Sequence, residues 1–542
     1  MFWDETTKQA MGWAEVWGLF QTLSKPGQRM RRSVRPFFPE EEGTWQEAMR
    51  DWQVLRTLSD DEAKSCREAL VKLPDVLSVL NLISQRAGVR VVDLFDLKQL
   101  LWHARELDSL LDGFGFAWWP RLDWDALLRL LNPRGELAPS FSLGDVGDGE
   151  LDALQEKLQR VEAAIFAVKK EQTDRLRAAF GKAPTRDGLY VFDKKQGNLE
   201  HEDLRLQGVN LFEAVFVVIE PPQVRELQGV REEVLVQIED REAVVLAEVV
   251  SALVPHVEDL EKAYDACGRL DWAFAKAAVA DQWGACAAEW QQANADEDVL
   301  AKSDSSDSQL GWWVRNGWHP TARSGVESRG GAYTLLNLSL SPGVGLITGP
   351  NMGGKTVVLK TLGLLQALAQ HALPVPAEAF RFVPVARIGW SGGDEQSLVS
   401  GLSSFGAEMQ RLASLLRESS PALLLLDEVA RTTNPQEGEE LAVGLAEYLI
   451  RSAHTALFAS HFPGVTQVLG LQGFRVAGLR SEVWARWESD GATPDPDSLL
   501  TDLQQAMDYR LLPAQGQEVP RDAWRIARLF GLPEEIIRKE GP

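Results

Sequence analysis

The segment Gly345–Thr356 constrains this chain more than any other. Gly345-Leu346-Ile347-Thr348 is a short apolar run that reads as a strand. It passes directly into Gly349-Pro350-Asn351-Met352-Gly353-Gly354-Lys355-Thr356, and the residues that follow, VVLKTLGLLQALAQHAL, carry apolar side chains at helical spacing. The octet fits G-x-x-x-x-G-K-[ST], and it stands between a strand and a helix, the context in which that spelling has mechanical meaning. Glycines let the backbone curl so that its N–H groups face an anion. The helix N-terminus adds positive partial charge at the same place. Lys355 supplies a full charge for β- and γ-phosphates, and Thr356 a hydroxyl for Mg²⁺. The segment therefore predicts an α/β domain that holds a nucleoside triphosphate, ATP, with Mg²⁺.

A second piece lies downstream. Ala422-Leu423-Leu424-Leu425-Leu426 is a continuous apolar run that ends in Asp427-Glu428. Such a run predicts a buried parallel strand presenting carboxylates at its C-terminal end. Asp427 would hold Mg²⁺ through water, and Glu428 would act as general base on the attacking water. Many strands end in acids, so the pair gains its meaning from the glycine loop upstream. Leu457-Phe458-Ala459-Ser460-His461 reads as a neighbouring strand ending in histidine. A lone histidine is more often structural; at this edge it could sense a γ-phosphate.

The remainder of the 542 residues predicts several domains. Residues 1–60 are rich in Trp and hold no readable motif. From 61 to about 132, and again from about Asp148 to Phe180, Leu and Val recur at three- and four-residue spacing. Segments such as GLYVF and AVFVVI between 187 and 219 read as short strands. After Pro221-Pro222 an amphipathic pattern runs to Pro255, about 33 residues and ~50 Å of helix. That length suits an arm or lever, or alternatively a coiled-coil dimerisation segment. Asp304–Ser308 is a polar linker and marks the expected boundary between a helical region, 61–303, and the nucleotide domain, 304–542.

Hydrophobic residues make up 45% and charged residues 25%, an ordinary globular composition. No apolar run is long enough to span a bilayer, and the start MFWDETTKQAMGW lacks a secretory pattern, so a cytoplasmic location is expected. Cys66, Cys267 and Cys286 are scattered and read as reduced core residues. Net charge is −23, of which residues 141–310 carry −16. DNA binding needs clustered bases. The clearest cluster, Lys25, Arg29, Arg31, Arg32 and Arg35, is followed at once by the acidic run Glu40–Glu42 and reads as a solvated arm.

With these motifs on the page, the chain resembles the MutS family. TGPNMGGKT at Thr348–Thr356 is similar to the family's nucleotide loop. Arg315-Asn316-Gly317-Trp318-His319-Pro320 resembles the opening of its ATPase domain, and Gly393–Ser397 with Gly401–Phe405 its signature region. LLLLDEVARTTNPQEGEELA, LFASHF and the near-terminal ARLFGLPEEIIRK complete the likeness. The resemblance implies a helical core and lever region followed by an ABC-type P-loop ATPase domain with C-terminal dimerisation helices. It implies a homodimer with shared ATP sites. In such a dimer Ser403 reaches the γ-phosphate held by the partner, Asn351 touches the phosphates, His461 acts as a switch histidine and Tyr333 stacks on adenine.

Departures are as informative. No Phe-x-Glu of a mismatch-reading domain is present, and residues 1–60 are expected to be too short to supply that domain and its connector. Asp394–Ser397 and Asn434–Gly438 lean towards the second bacterial branch, which usually adds a C-terminal nuclease domain, whereas the sequence stops at Pro542. Arg431 and Thr432 stand where relatives tend to have glycines. Three functions fit this pattern: a dimeric clamp driven by ATP on DNA; an ATP-dependent remodelling factor for a protein client, such as a reactivase for a cobalamin-dependent aminomutase; and a regulatory nucleotide-binding dimer.

Overall fold

Six strands form the sheet that carries the glycine loop: β1 (Val344–Thr348), β2 (Arg387–Gly392), β3 (Ala422–Asp427), β4 (Thr455–Ala459), β5 (Gln472–Leu479) and β6 (Met507–Pro513). Their order is β6-β5-β1-β4-β3-β2. Strands β5, β1, β4, β3 and β2 run parallel, and β6 joins β5 antiparallel. Every residue of β1, β3 and β4 is buried, which explains why they read as unbroken apolar runs. Helices α1 (Lys355–Gln370), α2 (Ser404–Leu416) and α3 (Pro435–Ile450) connect them. This is a computed structural model; it describes residues 2–134, 137–185, 187–196, 199–292, 310–350, 353–392, 404–418, 420–480 and 506–514, with positions 482, 527, 532 and 533.

The chain divides into two compact units, one of residues 1–23, 27–64 and 268–542, the other of 24–26 and 65–267. This differs from a division at 60 and 303. Residues 2–60 form helices Glu5–Ala10, Trp13–Trp17, Lys25–Ser33 and Glu42–Leu55, and most of this stretch packs into the α/β unit. Strand β2 is a sheet edge, with backbone groups that need partners. Ile388 N–H donates to the Phe2 carbonyl at 2.8 Å, and Trp390 N–H to Thr7 Oγ1 at 3.2 Å. The C-terminal carbonyls of α1 are satisfied in the same way: Trp45 Nε1 donates to Ala369 O and Phe37 N–H to Gln370 O, both at 2.6 Å. Residues 268–283 join this unit because Trp272 packs on Trp17 and Phe20, while Lys276 Nζ donates to the Ala48 carbonyl at 2.7 Å. Within the basic cluster, Arg31 caps the Trp17 carbonyl and Arg35 pairs with Glu41. The linker expected at 304–308 lies outside the described residues.

The second unit is mainly helical. Two 32-residue helices, Gly149–Phe180 and Pro222–Leu253, run antiparallel, joined by Arg241 Nε donating to Asp148 Oδ1 at 2.9 Å and Arg231 Nε to Glu162 Oε1 at 3.0 Å. Between them in sequence lies a three-stranded antiparallel sheet of Leu189–Asp193, Leu204–Val209 and Glu213–Val218. Its core is Leu176, Tyr190, Phe192, Leu204, Ala214 and Phe216.

Candidate functional site

The parallel register aligns the C-terminal ends of four strands. Asp427 pairs with Ala459 on one side and Gly392 on the other, and Ala459 pairs with Ile347. Thr348, Asp427 and His461 therefore reach one edge of the sheet, where β1 borders both β4 and β5 and the strand order changes direction. That edge is where open α/β sheets place ligands.

The loop between β1 and α1 bends at Gly349 (φ 148°) and Gly354 (φ 82°), conformations that side chains disfavour. A Cβ at Gly349 would lie 3.0 Å from Val476 Cβ, so the loop lies tightly against β5. Lys355 opens α1 and is buried. Its Nζ donates to the carbonyls of Gly349 and Pro350 at 2.9 and 3.2 Å and lies 3.4 Å from Glu428 Oε1. Thr356 Oγ1 donates to Asp427 Oδ2 at 2.7 Å.

Asp427 is buried, and that burial pushes its carboxyl above the usual range against the opposing Thr356 hydrogen bond. Its Oδ1 is enclosed and has no hydrogen-bond partner among the described residues. A carboxylate oxygen left unsatisfied beside a threonine hydroxyl is the donor set a hard divalent cation takes, so these residues fit Mg²⁺. Glu428 follows in a left-handed conformation (φ 49°), as does Ala430 (φ 62°). This is a costly pair for non-glycine residues. The turn is fixed on both sides. Ala430 N–H donates to Glu408 Oε1 at 3.1 Å, and the Ala430 carbonyl lies so close to α3 that a Cβ at Gly438 would sit 2.6 Å from it. His461 lies two residues past β4, its ring against Phe462. Burial lowers its basicity, as do Lys355 and Arg431, while Glu428 opposes them.

Lys355, Thr356, Asp427, Glu428 and His461 are thus gathered with Gly349, Pro350, Gly353 and Gly354. Asn351, Met352 and Ser403 lie outside the described residues. The hydroxyl of Tyr333 accepts from His319 N–H at 3.2 Å, and that is its described hydrogen bond. Two side chains that motif reading did not place also stand here. Tyr509, on β6, lies with Cδ1 3.3 Å from the position of a Gly354 Cβ. Arg431 Nη1 donates to Glu428 Oε2 at 2.9 Å. No local pattern marks Tyr509, which lies 155 residues after the glycine it covers.

Fold and site define a mixed α/β domain with a glycine-rich loop and paired carboxylates at one sheet edge. Residues 345–489 match the family model described as MutS domain V. The chain is 30% identical over 437 residues to an Endonuclease MutS2 of Thermomicrobium roseum, covering 76% of this chain and 48% of that one. It is 28% identical over 414 residues to the Endonuclease MutS2 of Pelotomaculum thermopropionicum, covering 73% and 46%. With that of Streptococcus gordonii the identity is 32% over 297 residues, covering 54% and 33%. The chain belongs to the MutS family. It spans about half the length or less of these relatives. No described helix is long and apolar enough to cross a membrane.

Proposed function

We propose that this protein binds ATP and hydrolyses it with Mg²⁺, and that the cycle drives a dimeric clamp acting on DNA. The observation that carries the hydrolytic reading is the gathering of Lys355, Thr356–Asp427 and Glu428 at the end of one parallel sheet. Lys355, whose Nζ donates to the Gly349 and Pro350 carbonyls of the loop, would hold the β- and γ-phosphates. Thr356 and Asp427 hold Mg²⁺, which neutralises phosphate charge when bound. Glu428 takes a proton from the attacking water, and His461, whose basicity burial lowers, senses the γ-phosphate. Tyr509, beside Gly354, would border a nucleotide held by the loop, whereas Tyr333 retains the adenine role only by resemblance. Ser403 of each subunit would complete the partner's site. The names of the relatives and the long antiparallel helix pair support a DNA clamp.

Purified protein is expected to release phosphate from ATP only with Mg²⁺. Lys355→Ala should abolish nucleotide binding. Glu428→Gln should retain binding and lose at least about 10²-fold in kcat, the usual worth of a general base. Wild-type hydrolysis by Glu428→Gln would refute the assignment. Mixing Lys355→Ala with Ser403→Ala chains should restore part of the activity if sites are shared, and a fully active monomer would exclude sharing. DNA binding should be weak and strongly salt-dependent, because residues 141–310 carry −16, and it is expected to be indifferent to a mispair.

A further inference from the structure

We propose that Arg431 is a latch on the general base, holding Glu428 in an ion pair that must open before each hydrolysis; this rests on the hydrolytic reading above. Both carboxylate oxygens of Glu428 face cations. Lys355 Nζ stands 3.4 Å from Oε1, and Arg431 Nη1 donates to Oε2 at 2.9 Å. The two cations answer differently to a nucleotide. Lys355, whose Nζ also donates to the Gly349 and Pro350 carbonyls, is drawn to the incoming phosphates, which releases Oε1. Arg431 stays on Oε2, because the turn that carries it is fixed by the Glu408 hydrogen bond and by the close approach of Gly438.

Hydrolysis requires the water oxygen to bond to the γ-phosphorus, the bond to ADP to break, and the water proton to pass to a Glu428 oxygen. A carboxylate oxygen that already accepts an arginine N–H has less lone-pair density for that proton. The latch is also built to open. Glu428 is 15% exposed while Arg431 is 62% exposed, so the guanidinium lies towards solvent and swings out without disturbing the core. Arg431 is thus a positioning residue acting through Glu428.

The test is steady-state Mg²⁺-ATP hydrolysis by wild type, Arg431→Ala and Arg431→Lys, with nucleotide affinity measured in parallel. An ion pair this exposed restrains a rate only a few-fold, so Arg431→Ala is expected to raise kcat about three- to fivefold with KM within about twofold of wild type. Arg431→Lys, which keeps a cation in reach, should return the rate towards wild type. An unchanged or lower kcat in Arg431→Ala overturns the latch, as does a lysine variant as fast as the alanine one. Absence of hydrolysis in wild type and both variants refutes the hydrolytic reading itself, a result distinct from either.

Discussion

The attachment of the N-terminal segment to the sheet edge can be measured at one side chain, Arg411 on α2. Its Nε donates to the Trp390 carbonyl at 2.7 Å, and its Nη2 donates to Asp4 Oδ1 at 3.0 Å and Thr7 Oγ1 at 3.1 Å. Arg411→Met keeps the stem and removes all three donors. The Asp4 carboxylate is 42% exposed, so it regains water at little cost. Thr7 is fully buried but still accepts from Trp390 N–H. The uncompensated loss is therefore the bond to the Trp390 carbonyl plus part of the Asp4 pair, together about 2 kcal/mol. For a unit of more than 300 residues that is a fall in Tm of about 3 °C, read by scanning calorimetry. Limited proteolysis should release the N-terminal segment sooner. Asp4→Ala and the double variant close a cycle whose coupling should be about 0.5–1 kcal/mol. If Arg411→Met melts with wild type and the cycle shows no coupling, the segment is not held at the edge by this residue.

Two further outcomes follow from the geometry. Gly354→Ala forces a left-handed alanine, at a cost of about 1–2 kcal/mol, and sets its Cβ 3.3 Å from Tyr509, so nucleotide affinity should fall at least about tenfold while the fold persists, measured by titration and circular dichroism. Asp148 caps the Gly149–Phe180 helix and pairs with Arg241, which holds its carboxyl down to about 2. Its folded pKa lies below the unfolded value, so the stabilisation is present above about pH 4 and is lost as pH falls towards 2. Arg241→Leu should therefore lower stability at neutral pH and do so progressively less in acid, checked by urea melts across that range.

What the sequence determined by itself was everything set by short-range pattern. The strand, loop and helix at 344–370 follow from apolar runs, glycines and a lysine within 27 residues. The acid-ended strand at 422–427 and the 32-residue helices were legible for the same reason: period and caps are local. Tertiary structure decided what depends on contacts between distant residues. Residues 2–60 have no motif because their task is to satisfy the edge of β2 and the end of α1, some 320 to 390 positions away. Tyr509 meets Gly354 only because β6 closes the sheet beside β5. Arg431 is near Glu428 in sequence, yet it faces that carboxylate only because two left-handed residues turn the chain back, and α2 and α3 hold them there. Local pattern fixes which elements form; the pairing of buried polar groups across the fold fixes which of them meet.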